Sequence, residues 1–265
     1  RPENSAMQLA FIGIPGIPMV EPGDDLLELI NAGLATIGET IQDGDVLVLA
    51  QKIVSKAEDR SLDLRTVEPS AEAVALGAEV DKEPRKVQAI LDESVEVVRK
   101  RPGVLIVEHR LGFVQANAGI DQSNIEGDAD DPEAICLLLP EDPDASARAL
   151  REAVATRLGV RVGVIINDSI GRAWRNGSLR LAIGVAGFTA LEDHIGGQDI
   201  FGRELVVTQV GAADEMAAGA SLVMGQTDEK TPVVLVRGYA PREPEAMDQR
   251  GVQPLIRPRD MDLFR

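Results

Sequence analysis

A single cysteine, Cys136, rules out an intrachain disulfide and points to a reducing, cytoplasmic compartment. It sits in the apolar run AICLLLP, which argues against thiol catalysis. Histidine is nearly as scarce. His109 and His194 lie far apart and suggest no zinc site, so each reads as structural or surface. The common phosphate, dinucleotide and zinc-protease motifs are missing, as is C-x-x-C. DQSNIEGDADD fails as a calcium loop because Gly127 takes its seventh position instead of its sixth. No apolar run reaches the roughly 18 residues of a membrane span, and no stretch reads as a signal peptide; RPENSA, residues 1–6, reads as an expression remnant. Bases are also short, 27 against 44 acids, for a net charge of −17. That field repels nucleic acid and anionic membrane, so a phosphate-bearing ligand must be held by local cations or metals.

What is present is a chain of 265 residues, 44% hydrophobic, able to bury a real core. Strand and helix patterns alternate. MQLAFIGI (7–14) and DVLVLAQ (45–51) read as strands around a helix over 25–41, with Leu26, Ile30, Leu34, Ile37 and Ile41 in one stripe and Asp25 with Glu28 as a capping pair. A second helix is predicted over 84–99 from Val87, Ile90, Leu91, Val95 and Val98, followed by two strands around a tight turn in GVLIVEHRLGFVQA. A third helix has Pro143 in its first turn, Gly159 as its stop, and Ala147, Leu150, Val154 and Leu158 inward. The strand RVGVIIND follows. GAADEMAAGASLVMG reads as a small-residue helix that permits close packing, within the chain or between two copies, and TPVVLVRGY as a buried strand. The reading is a mixed α/β fold in two lobes. One catalytic unit spans 7–250, and 251–265 forms a C-terminal tail.

Three polar stretches fall at element ends, where ligand sites form. In GIDQSN (119–124), Asp121 suits either a loop folding a carboxylate inward or a surface Asx turn. INDSIGRAWRNG (166–177) packs Asp168, Ser169, Arg172, Trp174 and Arg175 into one turn. Neighbouring side chains in extended chain point apart, so Asp168 and Ser169 could touch two different ions, and hard oxygen ligands suit Mg²⁺ or Mn²⁺. Arg172 and Arg175 could hold a substrate carboxylate or phosphate as planar forks, or simply cover Trp174. MGQTDEKT (224–231) reads alone as a solvated loop. Lys52 and Lys56 in QKIVSK would share a face if a helical turn follows their strand, which suits phosphate binding.

In order along the chain, GIPMVEPGDDL, DGDVLVLAQKIVSKAE, EHRLGFVQANAGIDQSN, VIINDSIGRAWRNG and VMGQTDEKTPVVLVRG resemble the coenzyme F420-0:L-glutamate ligase family, the F420 gamma-glutamyl ligases. The resemblance runs from Met7 across nearly the whole chain. It implies an F420 ligase-type fold of two lobes assembled as an intertwined homodimer. It also implies that Asp121 and Asp168 hold one divalent ion, Mg²⁺ or Mn²⁺, and that Ser169 and Gln226 hold a second, with a monovalent cation as a further ion. GTP is then surrounded by Ile17, Pro18, Met19, Val20, Gln51, Lys52, Lys56, Asn124, Met224, Gly225, Gln226, Thr227, Asp228, Glu229, Lys230 and Thr231. In fused relatives the region of LIRPRDMDLFR continues into a nitroreductase-like domain.

The implied reaction is GTP-dependent. The terminal carboxylate of F420-0 attacks the γ-phosphorus, and the amine of L-glutamate captures the acyl phosphate, releasing GDP and phosphate. Two other classes fit the same residue types: a metal-dependent nucleotide phosphohydrolase, and a GTP-binding regulatory protein without turnover.

Overall fold

Alternating apolar runs and capped helices set the element order in a computed structural model that describes residues 8–123, 131, 133–240 and 250–263. Strand β1 (Ala10–Gly13) leads to helix α1 (Leu26–Thr36), whose first turn is capped by Asp25 accepting the Glu28 N–H. This helix stops at Thr36, short of the predicted 41, and Ile41 reaches the core from the following loop. The wholly buried β2 (Val46–Ala50) runs directly into α2 (Gln51–Ala57) and then β3 (Ser61–Asp63). The sequence reading passed over α3 (Ala71–Val80), although Ser70 caps it by accepting the Ala73 N–H.

The predicted helix over 84–99 needs correcting. Helix α4 covers Pro84–Asp92 only, and Ser94–Arg101 is strand β4, paired antiparallel with β5 (Val104–His109). Val95 is exposed on that strand. The valines fitted a helical stripe, but β-branched residues also suit a strand, and the pairing with β5 decided between them. The predicted tight turn then leads to β6 (Val114–Ala116).

Strand β7 (Ile135–Leu137) precedes α5 (Pro143–Leu158), which starts at Pro143 and ends at Gly159 in the left-handed region, φ 73°. Ala147 and Val154 are buried as read, whereas Leu158 in the last turn is exposed. Next come β8 (Gly163–Gly171), β9 (Ser178–Ala186), the short pair β10 (Glu192–Asp193) and β11 (Gln209–Val210), α6 (Ala212–Met224) and β12 (Val233–Arg237).

The central sheet has the order β1-β12-β2-β8-β9, with β2 and β8 parallel and every other pairing antiparallel. Its faces follow the two-residue period of a strand. Leu47 and Leu49 join the core with α1 and α5, while Val46 and Val48 face α6. Ala213, Ala217 and Ala220 of α6 lie buried against this same sheet, so the small-residue face is used within the chain. A third apolar cluster gathers Leu76, Val80, Val87, Ile90, Leu105, Ala118 and Cys136 from residues between 64 and 136. Within the stretch read as a tail, Val252 is buried with the α6 cluster and its N–H reaches Asp144. Among the described residues no helix is long and apolar enough to cross a membrane.

Candidate functional site

Register brings distant segments to one edge of the central sheet. Gly13 lies opposite Val234, Val233 opposite Leu49, and Ala50 opposite Asn167. The carboxyl ends of β1, β2 and β8 therefore open beside the amino end of β12, and ligands of α/β sheets bind in the crevice outside carboxyl ends. Ile17, Pro18, Met19 and Val20 leave β1 at this edge. Gln51, Lys52 and Lys56 leave β2, β8 carries Asp168 and Ser169, and Met224 to Thr231 leads into β12. Asn124 lies outside the described residues.

The α2 cations share one helical face, as the four-residue spacing required. Strand β2 keeps its sheet pairing to its last residue, where the Ala50 N–H donates to the Pro232 carbonyl at 2.8 Å, and α2 follows directly at Gln51. Gln51 is buried. Its Oε1 accepts from Ser55 Oγ at 2.9 Å, but its Nε2 has no hydrogen-bond partner among the described residues. A buried donor left unpaired costs about 1–3 kcal/mol, so this amide is prepared for an acceptor that a ligand can bring. In the helix-to-strand loop, the Glu229 carboxylate folds back over Gly225 and accepts the Thr227 N–H at 2.8 Å.

Asp168 and Ser169 lie in extended chain, as their opposed side chains required, but the turn read from there on starts later, because β8 continues through Gly171. Opposite them, Ile166 pairs with Gly184 and Asn167 with Ala182, which leaves Ile183 as an extra residue on β9. Such a bulge re-aims side chains beside it. Ser169 Oγ donates to Gln226 Oε1 at 2.7 Å, joining the two residues expected to share an ion. The Asp168 carboxyl is only partly covered, yet protein surrounds it closely enough that burial pushes it up to about 7. The Ser169 N–H and Arg180 work against this, and the like charge of Asp121 adds to it.

Asp121 proves to be both things the sequence allowed. It accepts the Ser123 N–H at 2.7 Å in an Asx turn, and it faces inward to the Lys52 ammonium at 2.8 Å. Burial works to raise its carboxyl, but Lys52 and Ser123 outweigh that and hold it below the ordinary carboxylate value. Lys52 also donates to Ser123 Oγ at 2.7 Å and to the Ser123 carbonyl at 3.0 Å.

Arg180 is the residue that sequence reasoning missed. It pairs across from Ser169 on β9, reaches the Gly225 carbonyl at 3.3 Å, and keeps an Nε without a partner among the described residues. Its one sequence signal was an arginine inside the apolar run SLRLAIGVA. Arg172 and Arg175, by contrast, lie exposed in the loop joining β8 to β9, where Arg172 Nη1 donates to the Gly177 carbonyl at 2.8 Å. Trp174 at this loop is 88% exposed with φ 64°.

The described residues hold no group of three His, Cys, Asp or Glu side chains placed for a metal. The donors at the edge are instead two carboxylates, a hydroxyl and an amide oxygen. That is a hard-oxygen set suited to Mg²⁺ or Mn²⁺, which commonly complete their shells with water and phosphate. Two nearby carboxylates, one of them raised by burial, also leave negative charge that a cation can neutralise, so the residues fit divalent ions. His109 has the structural role first read for it. Its Nδ1 accepts the Leu111 N–H at 3.0 Å and its Nε2 faces Glu93 at 3.2 Å.

The profile of a family described as F420-0:Gamma-glutamyl ligase matches residues 16–238. The chain is 43% identical over 259 residues to the Coenzyme F420:L-glutamate ligase of Methanothermobacter thermautotrophicus, covering 98% of this chain and 100% of the relative. It is 44% identical over 260 residues to the protein of that name from Methanopyrus kandleri, covering 97% and 99%. For the Methanocaldococcus jannaschii protein of that name the figures are 42% over 238 residues, covering 90% and 91%.

Proposed function

The chain belongs to the F420-0:gamma-glutamyl ligase family, and from that premise we propose that it joins L-glutamate to coenzyme F420-0 at the expense of GTP. The observation that carries this reading is the convergence of Gln51, Lys52, Asp168, Ser169 and Gln226 on one sheet edge. In the proposed reaction the terminal carboxylate of F420-0 attacks the γ-phosphorus and GDP leaves. The glutamate amine, having lost a proton, then attacks the acyl phosphate; phosphate departs and an amide remains.

Asp121 with Asp168, and Ser169 with Gln226, would each hold a divalent ion. Bound there, such ions would supply positive charge against the phosphates. Lys52, Lys56 and Arg180 supply fixed positive charge to the triphosphate. Gln51 Nε2 offers a donor, and Ile17 to Val20 with the 224–231 segment enclose the nucleotide. Arg172 and Arg175, on the exposed loop beyond β8, would bind a carboxylate or phosphate of incoming F420-0. For assembly we read a homodimer. Between β10 and β11 the chain exposes Ile195, Ile200, Phe201, Val206 and Val207, an apolar patch of the kind that marks an interface.

Reconstitution tests the reaction. Chain, GTP, Mn²⁺, L-glutamate and F420-0 together should give a product heavier by one glutamyl residue, with GDP matching the amide formed. Omitting glutamate should leave GTP turnover slow, because an acyl phosphate must be shielded from water until the amine arrives. Full-rate GTP hydrolysis without glutamate identifies a phosphohydrolase instead, and GTP binding without turnover a regulatory protein.

A further inference from the structure

A cavity of about 250 Å³ opens beside the first turn of α4, on the far side of the Asp121 segment from Lys52. Four cations line it: Arg65, Lys82, Arg85 and Lys86. Two are already matched. Arg65 chelates Asp63 through Nε and Nη2 at 3.1 and 2.8 Å, and Arg85 Nε donates to Glu83 at 2.8 Å. The other two face no carboxylate in an ion pair among the described residues. Lys86 donates to the side-chain oxygen of Gln122, and the Lys82 ammonium makes no hydrogen bond or ion pair among the described residues, its backbone N–H alone donating to the Gly77 carbonyl at 3.0 Å. Both are half-buried. Burial, with the charge of Lys86 added, holds the Lys82 ammonium below its ordinary value. Two crowded ammonium groups in a protein of net charge −17 are an unusual arrangement unless an anion joins them.

The amino end of α4 cannot supply that anion's contacts, because Glu83 already accepts the Lys86 N–H at 2.9 Å. The ligand must therefore be gripped by side chains. Asp131 and Glu133 on the same lining provide carboxylates for a positive group. At roughly 30 Å³ per water the cavity has room for about eight waters, or for a five-carbon amino acid. Gln122 ties it to the edge site. It accepts from Lys86, its Nε2 donates to the Glu133 carbonyl at 2.5 Å, and it follows Asp121 directly. Adjacent side chains in extended chain point apart, which sets Asp121 toward Lys52 and Gln122 toward the cavity.

We propose that this cavity binds the acidic amino-acid substrate, with its carboxylates on Lys82 and Lys86 and its ammonium toward Asp131 and Glu133. The assignment rests on the ligase reading for the identity of the ligand, and on the cavity alone for its place. The test is steady-state kinetics of the intact chain carrying Lys82→Met and Lys86→Met together. KM for L-glutamate should rise by about tenfold or more for each charge-assisted hydrogen bond lost, while KM for GTP and the melting temperature stay near wild type. Lys82→Arg with Lys86→Arg should recover much of the glutamate affinity. An unchanged KM for glutamate in the Met pair overturns the site and leaves the ligase reading intact.

If the wild-type chain shows no ligation, saturation-transfer NMR with L-glutamate still decides the site. Binding lost in the Met pair upholds the cavity while the ligase reading falls, and no binding to wild type overturns the cavity. If the Met pair fails to fold, each single substitution is read by the same KM criterion. Succinate binding as tightly as L-glutamate also overturns the assignment, since it has both carboxylates and no ammonium.

Discussion

The two ends of the central sheet use the same residue types to opposite effect. Before β2, the nearly inaccessible Asp45 receives Arg237 Nε at 2.9 Å and Nη2 at 2.8 Å, and also accepts the Gln42 N–H at 2.8 Å. Arg237 further reaches Glu39 and the Thr40 carbonyl, both at 2.8 Å. Every strong contact is closed within the chain. At the other end of the same strands, Asp168 has the Ser169 N–H at 2.7 Å, the like charge of Asp121 nearby, and an Arg180 whose Nε has no partner among the described residues. A cluster built for stability satisfies itself, whereas one built for a ligand is left short by what the ligand brings.

The most forceful way to break the comparison is at the closed end. Arg237→Met leaves the Asp45 carboxylate buried without its cation, which should cost about 3–5 kcal/mol by denaturant unfolding. Affinity for GTP and metal should be unchanged where the variant remains folded. A loss below about 1 kcal/mol would place this cluster with ordinary surface pairs.

A second closed cluster sharpens the contrast through pH. The His109 imidazole, whose Nε2 faces the carboxylate at 3.2 Å, is the main cause that holds the Glu93 carboxyl down at about 2; Arg110 assists, and burial opposes. Because the folded value lies below the unfolded one, this stabilisation is full above about pH 4.3 and is lost as pH falls toward 2. It amounts to about 3 kcal/mol at 1.4 kcal/mol per pK unit. Glu93→Gln should flatten the stability profile across that window, as measured by urea unfolding at stepped pH. An unaltered slope would refute the pairing.

At the open end the signs reverse. Asp168→Asn should lower metal-dependent activity by at least about 100-fold, since even groups behind a metal ligand cost 10–100-fold. Stability without metal should hold or rise, because the change removes a charge that burial disfavours. Thermal melting in the presence of a chelator, beside a Mn²⁺ titration by calorimetry, checks both halves; a destabilised variant would make Asp168 structural.

Much of this arrangement was legible in the sequence. The Asp25 cap, the Pro143 start and the Gly159 stop are local chemistry, and they hold. Lys52 and Lys56 were placed correctly as soon as a helix was assumed. The failures were non-local. Nothing local told Ser94–Arg101 from a continuing helix, because its partner β5 made the choice. Arg180 gave only the faint signal of a cation in an apolar strand, and Lys82 and Lys86 gave none.

By itself, then, the sequence determined the periods of its strands and helices, their caps and stops, the −17 charge that forces anions into local pockets, and family membership through ordered motifs. Those properties reside in neighbouring residues. Only the tertiary structure decided that Lys52 meets Ser123, 71 positions away, beside Asp121. It also decided that Arg180 faces the Asp168 edge and that two lysines share a cavity with no carboxylate paired to them among the described residues. Strand register and the closeness of charges are set by which segments meet across the sheet, and contacts between distant segments leave no periodic trace in the chain.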